Sequence, residues 1–398
     1  MIKRLTITDF KSIRNQTIEF GPVTVLVGRS GTGKSNIVQA LRFLRNYIIA
    51  SEPAVHLEGG WSRIVPAGIE QSVLSFDVLF NIEGMTSDYR YKLVLALQPR
   101  QMRIPGHPEG LHIVEEQLML GDRSLYDLVL TDKGPAWRTE PALVGKRPPA
   151  QSLMIRQLPA IQDVVYAYAA LSAGIGYYSL PNTVLGRDSS APNAHQNHIN
   201  EQLPGLRDDA TNYLQVMKSI VQDLHQLEVR KSILAALRQL NPSLCSVEMD
   251  SVVKPTCAVV GHQAGSKVLE IGLDQESDGF RRFYAHLLAL YQRPPKLLNI
   301  FEEPENGIYP GALSLLAGEF RAAPAAGRGQ VILTTHSPGL LDHFGVDDLR
   351  VVDMRDGETI VGRVAQDQRK AVDESLLTTG ELLTVDQARI DEPETSPA

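Results

Sequence analysis

The stretch Gly28-Arg29-Ser30-Gly31-Thr32-Gly33-Lys34-Ser35 decides the fold of this 398-residue chain. It is a complete G-x-x-x-x-G-K-S phosphate loop. The run Val23–Val27 before it is short, apolar and β-branched, and predicts a buried strand. After the loop, apolar residues recur at helical spacing and predict a helix; they are Ile37, Leu41, Leu44 and Ile48. A strand, a glycine loop and a helix in this order predict a nucleoside triphosphate site.

Each part of the loop has an expected role. Backbone N–H groups from Gly28 to Gly33, with the positive end of the helix, are suited to cradle polyphosphate oxygens. Lys34 is expected to reach the β- and γ-phosphates, and the hydroxyl of Ser35 to ligate Mg²⁺.

Acidic residues and a histidine follow two further buried strands in the last third of the chain. The apolar run 297–301 ends in Glu302 and Glu303, and a parallel strand with such an end places a magnesium carboxylate beside the phosphates. Glu302 is the candidate metal-side carboxylate, and Glu303 the candidate base that orients the attacking water. The run 331–335 ends in His336, a candidate hydrogen-bond partner of the γ-phosphate or the water. Taken alone, such a carboxylate pair is more often a solvated turn, and such a histidine is more often a buried core residue. All of these features follow a complete phosphate loop in this order, which favours the functional interpretation.

A second anion site is predicted at Ser277 and Gly279. They precede apolar residues at helical spacing between Phe280 and Tyr291, so they lie where a helix start exposes free N–H donors. Ser277 alone would be a common helix cap. Its occurrence after a complete phosphate loop, and before the acidic strand end, favours a functional role.

These motifs resemble the ABC-type ATPase heads of the SMC, RecF and OLD group, most of all the compact OLD-like AAA-type ATP-binding proteins of bacteria. The similar segments are the first strand (1–12), the Walker A motif (28–36, ending in Asn36), the signature motif (277–279), the Walker B motif with its D-loop (301–305) and the switch histidine (334–337). The resemblance covers nearly the whole chain. It departs at Ser30, Glu302 and Tyr309, where asparagine, aspartate and histidine are frequent.

The resemblance implies an α/β fold of the ABC-type ATPase head: a P-loop nucleotide lobe with a mixed sheet, a small antiparallel β subdomain and a helical lobe. It implies ATP and Mg²⁺ as cofactors, and a homodimer in which Ser277 and Gly279 of one subunit close over the ATP of the other. It further implies a magnesium-sensing glutamine, for which Gln71 is the candidate, and places Lys11 near the nucleotide. A surface glutamine and a solvated strand-end lysine remain the alternatives for these two residues.

Four segments are predicted from the motif positions. Residues 1–150 form the N-terminal part of the nucleotide lobe with the β subdomain, because strand-like runs there alternate with turn clusters. Residues 151–256 form the helical lobe, and residues 257–385 carry the signature, Walker B and switch-histidine motifs. Residues 386–398 are expected to be a disordered tail. His195 and His198 lie in a polar, proline-containing stretch that predicts a loop rather than a metal site.

Composition narrows the functional classes. A net charge of −7 weighs mildly against nonspecific DNA binding. A basic patch on one part of the surface is still compatible with this value, because the net charge is summed over the whole chain. Two cysteines give no disulfide framework, and no apolar stretch is long enough to span a membrane, which predicts a cytoplasmic protein.

Two functions follow as expectations. The first is a dimeric ATPase that acts as sensor or switch of a bacterial defence or toxin-like system, with a separate nuclease or toxin as effector. The second is a RecF-like repair ATPase that clamps DNA. A small-molecule kinase is disfavoured, because it would need neither the signature segment nor His336.

Overall fold

The computed structural model describes residues 1–69, 72–97, 111–131, 134–139, 152–159, 161–181, 185, 204–222, 227–250 and 257–393. The strands in these ranges are β1 (Ile2–Phe10), β2 (Ile13–Glu19), β3 (Val23–Val27), β4 (Val73–Phe80), β5 (Tyr89–Leu97), β6 (Leu111–Leu120), β7 (Arg123–Thr131), β8 (Gly134–Thr139), β9 (Ile175–Tyr178), β10 (Leu244–Asp250), β11 (Cys257–Ala264), β12 (Lys267–Gly272), β13 (Leu298–Glu302), β14 (Gln330–Thr334), β15 (Leu349–Arg355), β16 (Glu358–Val364) and β17 (Ile390–Pro393). The α-helices there are α1 (Lys34–Ala50), α2 (Glu52–Leu57), α3 (Trp61–Ile64), α4 (Met154–Gln157), α5 (Gln162–Leu171), α6 (Tyr213–Gln222), α7 (Leu227–Leu240), α8 (Asp278–Tyr291), α9 (Leu313–Ala322), α10 (Pro338–Leu341), α11 (Gln366–Asp373) and α12 (Glu381–Thr384).

A seven-stranded mixed sheet forms the centre of the nucleotide lobe. Its strand order is β17-β16-β15-β3-β14-β13-β9, and the five strands from β15 to β9 are parallel. Strands β16 and β17 extend one edge in antiparallel pairing. All five residues of β3 are buried, as expected for a parallel strand covered on both faces. The predicted fold class is therefore confirmed at the level of the mixed sheet.

A second seven-stranded sheet is wholly antiparallel, in the order β2-β1-β4-β5-β6-β7-β8. It is the predicted β subdomain, and it includes the first two strands of the chain. Residues 1–19 thus belong to this sheet rather than to the central one. The turn cluster predicted near residue 105 lies outside the described residues.

The segment predicted as a helical lobe contains strands as well. Strand β9 is the edge of the central sheet, beside β13. Its four residues are too few to show a period, so the sequence pattern did not reveal it. Strand β10 pairs with β11 and β12 in a small antiparallel sheet. The helical elements α6 and α7 pack against β10. His195 and His198 lie outside the described residues.

Two hydrophobic cores cover the faces of the central sheet. One lies between this sheet, α1 and the antiparallel sheet, and the other between this sheet and helices α8 and α9. A buried ion pair ties α1 to the segment before α6: Arg45, 1% exposed, donates to both carboxylate oxygens of Asp208 at 2.9 and 2.8 Å.

The C-terminal segment is ordered further than the sequence predicts. Strand β17 pairs with β16, so a disordered tail does not begin at residue 386. The backbone pairing compensates for the polar composition of this segment. Residues 394–398 lie outside the described residues. Among the helices of the described ranges, none has the length and apolar character needed to cross a bilayer.

Candidate nucleotide site

The phosphate loop joins β3 to α1 and is backed by the β15–β16 hairpin. Gly28 has a φ of +153°, and a Cβ atom there would lie 2.1 Å from the carbonyl oxygen of Val352. Gly33 has a φ of +103°, and its Cβ would lie 2.0 Å from the Thr359 hydroxyl. That hydroxyl donates to the carbonyl of Thr32 at 2.9 Å. Glycine is thus required at both positions by backbone conformation and by the close approach of the hairpin.

Lys34 folds back over the loop. Its side chain is buried, and its ammonium group donates to the carbonyls of Gly28 and Arg29, both at 2.8 Å. Burial lowers the pKa of Lys34 to about 8, against the opposing effect of the Glu303 and Glu305 charges. Burial disfavours the charged ammonium group, and two neutral carbonyl oxygens compensate for this only in part. Binding of an anion would stabilise the charge, which fits the predicted contact of Lys34 with phosphate.

The remaining loop residues lie around this lysine. Arg29 and Ser30 are exposed, as is Gly31. The guanidinium of Arg29 donates to the side chain of Gln387 at 2.5 Å, and the Thr32 hydroxyl donates to the Arg29 carbonyl at 2.9 Å. The start of α1 leaves the Ser35 side chain partly exposed.

Three adjacent parallel strands bring the predicted chemistry to one edge of the central sheet. Glu302, the last residue of β13, pairs in register with Thr334 of β14, and Thr334 pairs with Leu26 of β3. The Walker B carboxylates, the switch-histidine segment and the phosphate loop therefore all begin at the carboxyl ends of neighbouring strands. Ligands of open α/β sheets bind at this edge.

Glu303 and His336 face each other at this edge. Their side chains are each 38% exposed, and His336 Nε2 lies 3.5 Å from Glu303 Oε1. The other oxygen, Oε2, accepts a hydrogen bond from Asn306 Nδ2 at 2.8 Å. Glu303 has a φ of +45°, and its N–H donates to the Thr334 carbonyl at 3.1 Å. This arrangement leaves a half-exposed carboxylate beside a histidine, as a water-orienting pair requires.

Glu305 was not assigned a role from the sequence, yet it shapes the histidine loop. Its Oε1 accepts hydrogen bonds from the Thr335 hydroxyl at 2.7 Å and from the His336 N–H at 2.9 Å. Its Oε2 is buried and has no hydrogen-bond partner among the described residues. The sequence feature that could have pointed to Glu305 is its position, two residues after the candidate base Glu303.

Glu302 accepts a hydrogen bond from the hydroxyl of Tyr177, which the sequence reasoning also missed. The described residues include no cluster of three or more metal-ligating side chains. A magnesium site beside phosphates does not need one, because Mg²⁺ keeps several waters and takes one or two carboxylates with the substrate phosphates. The oxygen donors of Ser35 and Glu302 have the hard character that this ion prefers, so the residues fit it. Gln71, the candidate magnesium sensor, lies outside the described residues.

Lys11 lies in a cleft of about 720 Å³ beside the start of α1. Its ammonium group donates to Gln39 at 2.7 Å and to Glu58 at 2.8 Å. The neighbouring Ser12 also lines the cleft, and its hydroxyl accepts from Asn36 Nδ2 at 2.7 Å. One hydrogen bond thus joins Ser12, in the cleft wall, to Asn36 at the end of the Walker A motif. Lys11 is ion-paired there rather than a free strand-end lysine.

The signature segment starts α8, as predicted. Ser277 is exposed and caps the helix, its hydroxyl accepting from the Phe280 N–H at 3.3 Å. Gly279 lies against the turn that follows the D-loop, where a Cβ would come 3.0 Å from the Gly307 carbonyl oxygen. Helix capping and a role in anion binding are compatible, because the cap leaves other N–H groups of the first turn free.

Two family models match the chain. Residues 1–81 match the model described as "AAA ATPase domain", and residues 152–342 match the one described as "AAA domain, putative AbiEii toxin, Type IV TA system".

Curated relatives match over short stretches. The DNA replication and repair protein RecF of Acidothermus cellulolyticus is 34% identical over 113 residues, 27% of this chain and 26% of that protein. The DNA repair protein RecN of Xylella fastidiosa is 53% identical over 45 residues, 11% of this chain and 8% of that protein. The matches therefore span about a quarter or less of these relatives.

Solved structures match along nearly the full chain. An SMC head bound to the C-terminal winged-helix domain of ScpA is 15% identical, with a TM-score of 0.53, covering 92% of this chain and 99% of that one. An SMC head with an extended coiled coil, bound to the C-terminal domain of ScpA from Pyrococcus furiosus, is 14% identical, with a TM-score of 0.51, covering 94% and 99%. The OLD-like part of the resemblance stays a prediction. The chain therefore has the fold of the SMC heads, an ABC-type ATPase head, and two of its segments match AAA-type ATPase family models.

Proposed function

We propose that this chain binds ATP with Mg²⁺ and hydrolyses it. The observation that carries the proposal is the convergence of the phosphate loop, Glu302, Glu303 and His336 at the ends of three adjacent parallel strands. An edge of this kind would allow the phosphates, an attacking water and its base to meet in one cleft, which supports the proposal.

The roles follow from the geometry. Lys34 exchanges its carbonyl partners for β- and γ-phosphate oxygens, and the loop N–H groups hold the remaining phosphate charge. Ser35 and Glu302 would hold Mg²⁺, which would neutralise charge that develops on the phosphates. Glu303 accepts a proton from the attacking water, while Asn306 and His336 fix the orientation of its carboxylate.

We further propose that hydrolysis takes place in a homodimer. The exposed start of α8, with Ser277 and Gly279, offers a hydroxyl and free N–H donors to the nucleotide of a second copy. Closure of one subunit over the other would complete the γ-phosphate cage and exclude water from it.

The biological role that fits best is a sensor or switch in a bacterial defence or toxin-like system, with a separate nuclease or toxin as effector. The AbiEii-type family model over residues 152–342 supports this assignment. The alternative, a RecF-like ATPase that clamps DNA, is favoured by the similarity to RecF and RecN. The net charge of −7 weighs against it.

ATP turnover of the purified chain separates these proposals. Phosphate release is measured alone, with duplex or single-stranded DNA, and with the products of neighbouring genes. Lys34→Ala is the control, and nucleotide binding should be lost in it because the charge that neutralises the phosphates is gone. Stimulation by DNA alone favours the clamp, and stimulation by a neighbour's product favours the switch. Unchanged calorimetric ATP affinity in Lys34→Ala would refute the assignment of the loop.

A further inference from the structure

The hydroxyl of Tyr177 donates a hydrogen bond to Glu302 Oε2 from the neighbouring strand. Tyr177 is the third residue of β9 and pairs in register with Ile300 of β13. Its side chain is 2% exposed, so the phenol lies under the sheet edge rather than in solvent. A phenol at neutral pH is a hydrogen-bond donor to a carboxylate, and one such donor occupies one of its two oxygens.

The ring of Tyr177 is also contacted by a cationic side chain from α1. The guanidinium of Arg42, on α1, lies 5.0 Å from the ring centroid. Arg42 donates to Glu58 Oε1 at 2.5 Å, and Lys11 donates to Glu58 Oε2 at 2.8 Å. The Glu58 side chain is only 6% exposed. A series of contacts through Glu58, Arg42 and Tyr177 therefore connects Lys11, in the cleft, to the Walker B carboxylate Glu302.

We propose that Tyr177 is a positioning residue that holds the Glu302 carboxylate for magnesium. The proposal rests on the proposed ATP site and adds a residue to it. Glu302 is the last residue of β13 and is partly exposed. A glutamate side chain can in general adopt several staggered rotamers. The hydroxyl of Tyr177 favours one of them by occupying Oε2, so that Oε1 is the oxygen available to the ion. Partners of this kind orient metal ligands, and their loss typically costs about 10–100-fold in metal affinity.

The adjacent tyrosine is a matched control. Tyr178 is equally buried, but its hydroxyl accepts a hydrogen bond from Gln292 Nε2 at 2.6 Å, and its ring stacks on Phe301. Tyr178→Phe removes one buried hydroxyl from the same strand without touching Glu302. Any effect of general destabilisation of β9 should therefore be seen in both variants, and is checked by thermal melting.

The test is a magnesium titration of nucleotide binding, followed with a fluorescent ATP analogue on the full chain. Tyr177→Phe should raise the magnesium concentration for half-maximal binding by about tenfold or more, with binding recovered at high magnesium. Tyr178→Phe should keep the wild-type value. In the Glu302→Gln background, Tyr177→Phe should add less than about twofold, because its effect runs through that carboxylate.

Two results would overturn the proposal. One is a wild-type magnesium requirement in Tyr177→Phe. The other is an equal shift in Tyr178→Phe, which would assign the effect to the strand. These results differ from the result expected if the chain has no magnesium-dependent ATP site. In that case the wild-type chain itself would bind no nucleotide, or its nucleotide affinity would not depend on magnesium.

Discussion

Replacing Glu303 by glutamine should separate nucleotide binding from hydrolysis. The glutamine side-chain oxygen can still accept the 2.8 Å hydrogen bond from Asn306, and the backbone bond to Thr334 is unchanged. What is lost is the basic oxygen that faces His336 at 3.5 Å. Removing a positioned base typically costs about 10²–10⁴-fold, or roughly 3–5 kcal/mol of transition-state stabilisation.

The assay pairs phosphate release with light scattering. Turnover of Glu303→Gln should fall by about two orders of magnitude or more, while ATP and Mg²⁺ accumulate the closed dimer, because a ligand that favours one state shifts the population toward it. The matched variant Glu302→Gln should instead weaken magnesium-dependent binding. A wild-type rate in Glu303→Gln, or monomers that persist with ATP and Mg²⁺, would refute the reasoning.

Three other outcomes are expected. Ser277→Arg should spare ATP binding but remove hydrolysis, and mixing it with Lys34→Ala should restore one composite site per mixed dimer; inactive mixtures that demonstrably contain mixed dimers would contradict a site shared between subunits. Arg45→Ala should lower the free energy of unfolding in urea by about 3–5 kcal/mol, because it leaves the Asp208 carboxylate without its partner, and an unchanged midpoint would show that the pair contributes nothing. Burial lowers the pKa of His286 to about 4, so its neutral form is favoured in the folded state; stability should fall as pH drops from about 6.5 toward 4, by roughly 3 kcal/mol in all, and this slope should be absent in His286→Gln.

Local patterns predicted the strands and the loop on which the candidate site residues lie. The phosphate loop, the strand that ends in Glu302 and the strand that ends before His336 are each short segments with their own apolar period and a polar end. The carboxyl ends of these three strands then lie side by side, because neighbouring parallel strands all end at the same edge of a sheet. No knowledge of the tertiary structure beyond the parallel pairing is needed to predict this.

Non-local pairing was not readable from the sequence. The contact of Tyr177 with Glu302 joins residues 125 positions apart, and nothing in the four residues of β9 indicates which strand they pair with. The first strand likewise joins the antiparallel sheet through β4, 60 or more residues away, which its own alternation cannot show. These choices depend on tertiary packing rather than on local propensity.

The hairpin behind the phosphate loop has a consequence for synthesis. Val352 and Thr359 approach Gly28 and Gly33 too closely to leave room for a Cβ atom at either position. During synthesis they leave the ribosome more than 300 residues after these glycines. We expect that the loop is synthesised early and acquires its binding conformation only when the β15–β16 hairpin has docked against it. Nucleotide retention by stalled nascent chains of increasing length would test this, and retention by chains that end before residue 349 would disprove it. ATP retention would then distinguish chains that contain the folded β15–β16 hairpin from chains that end before it.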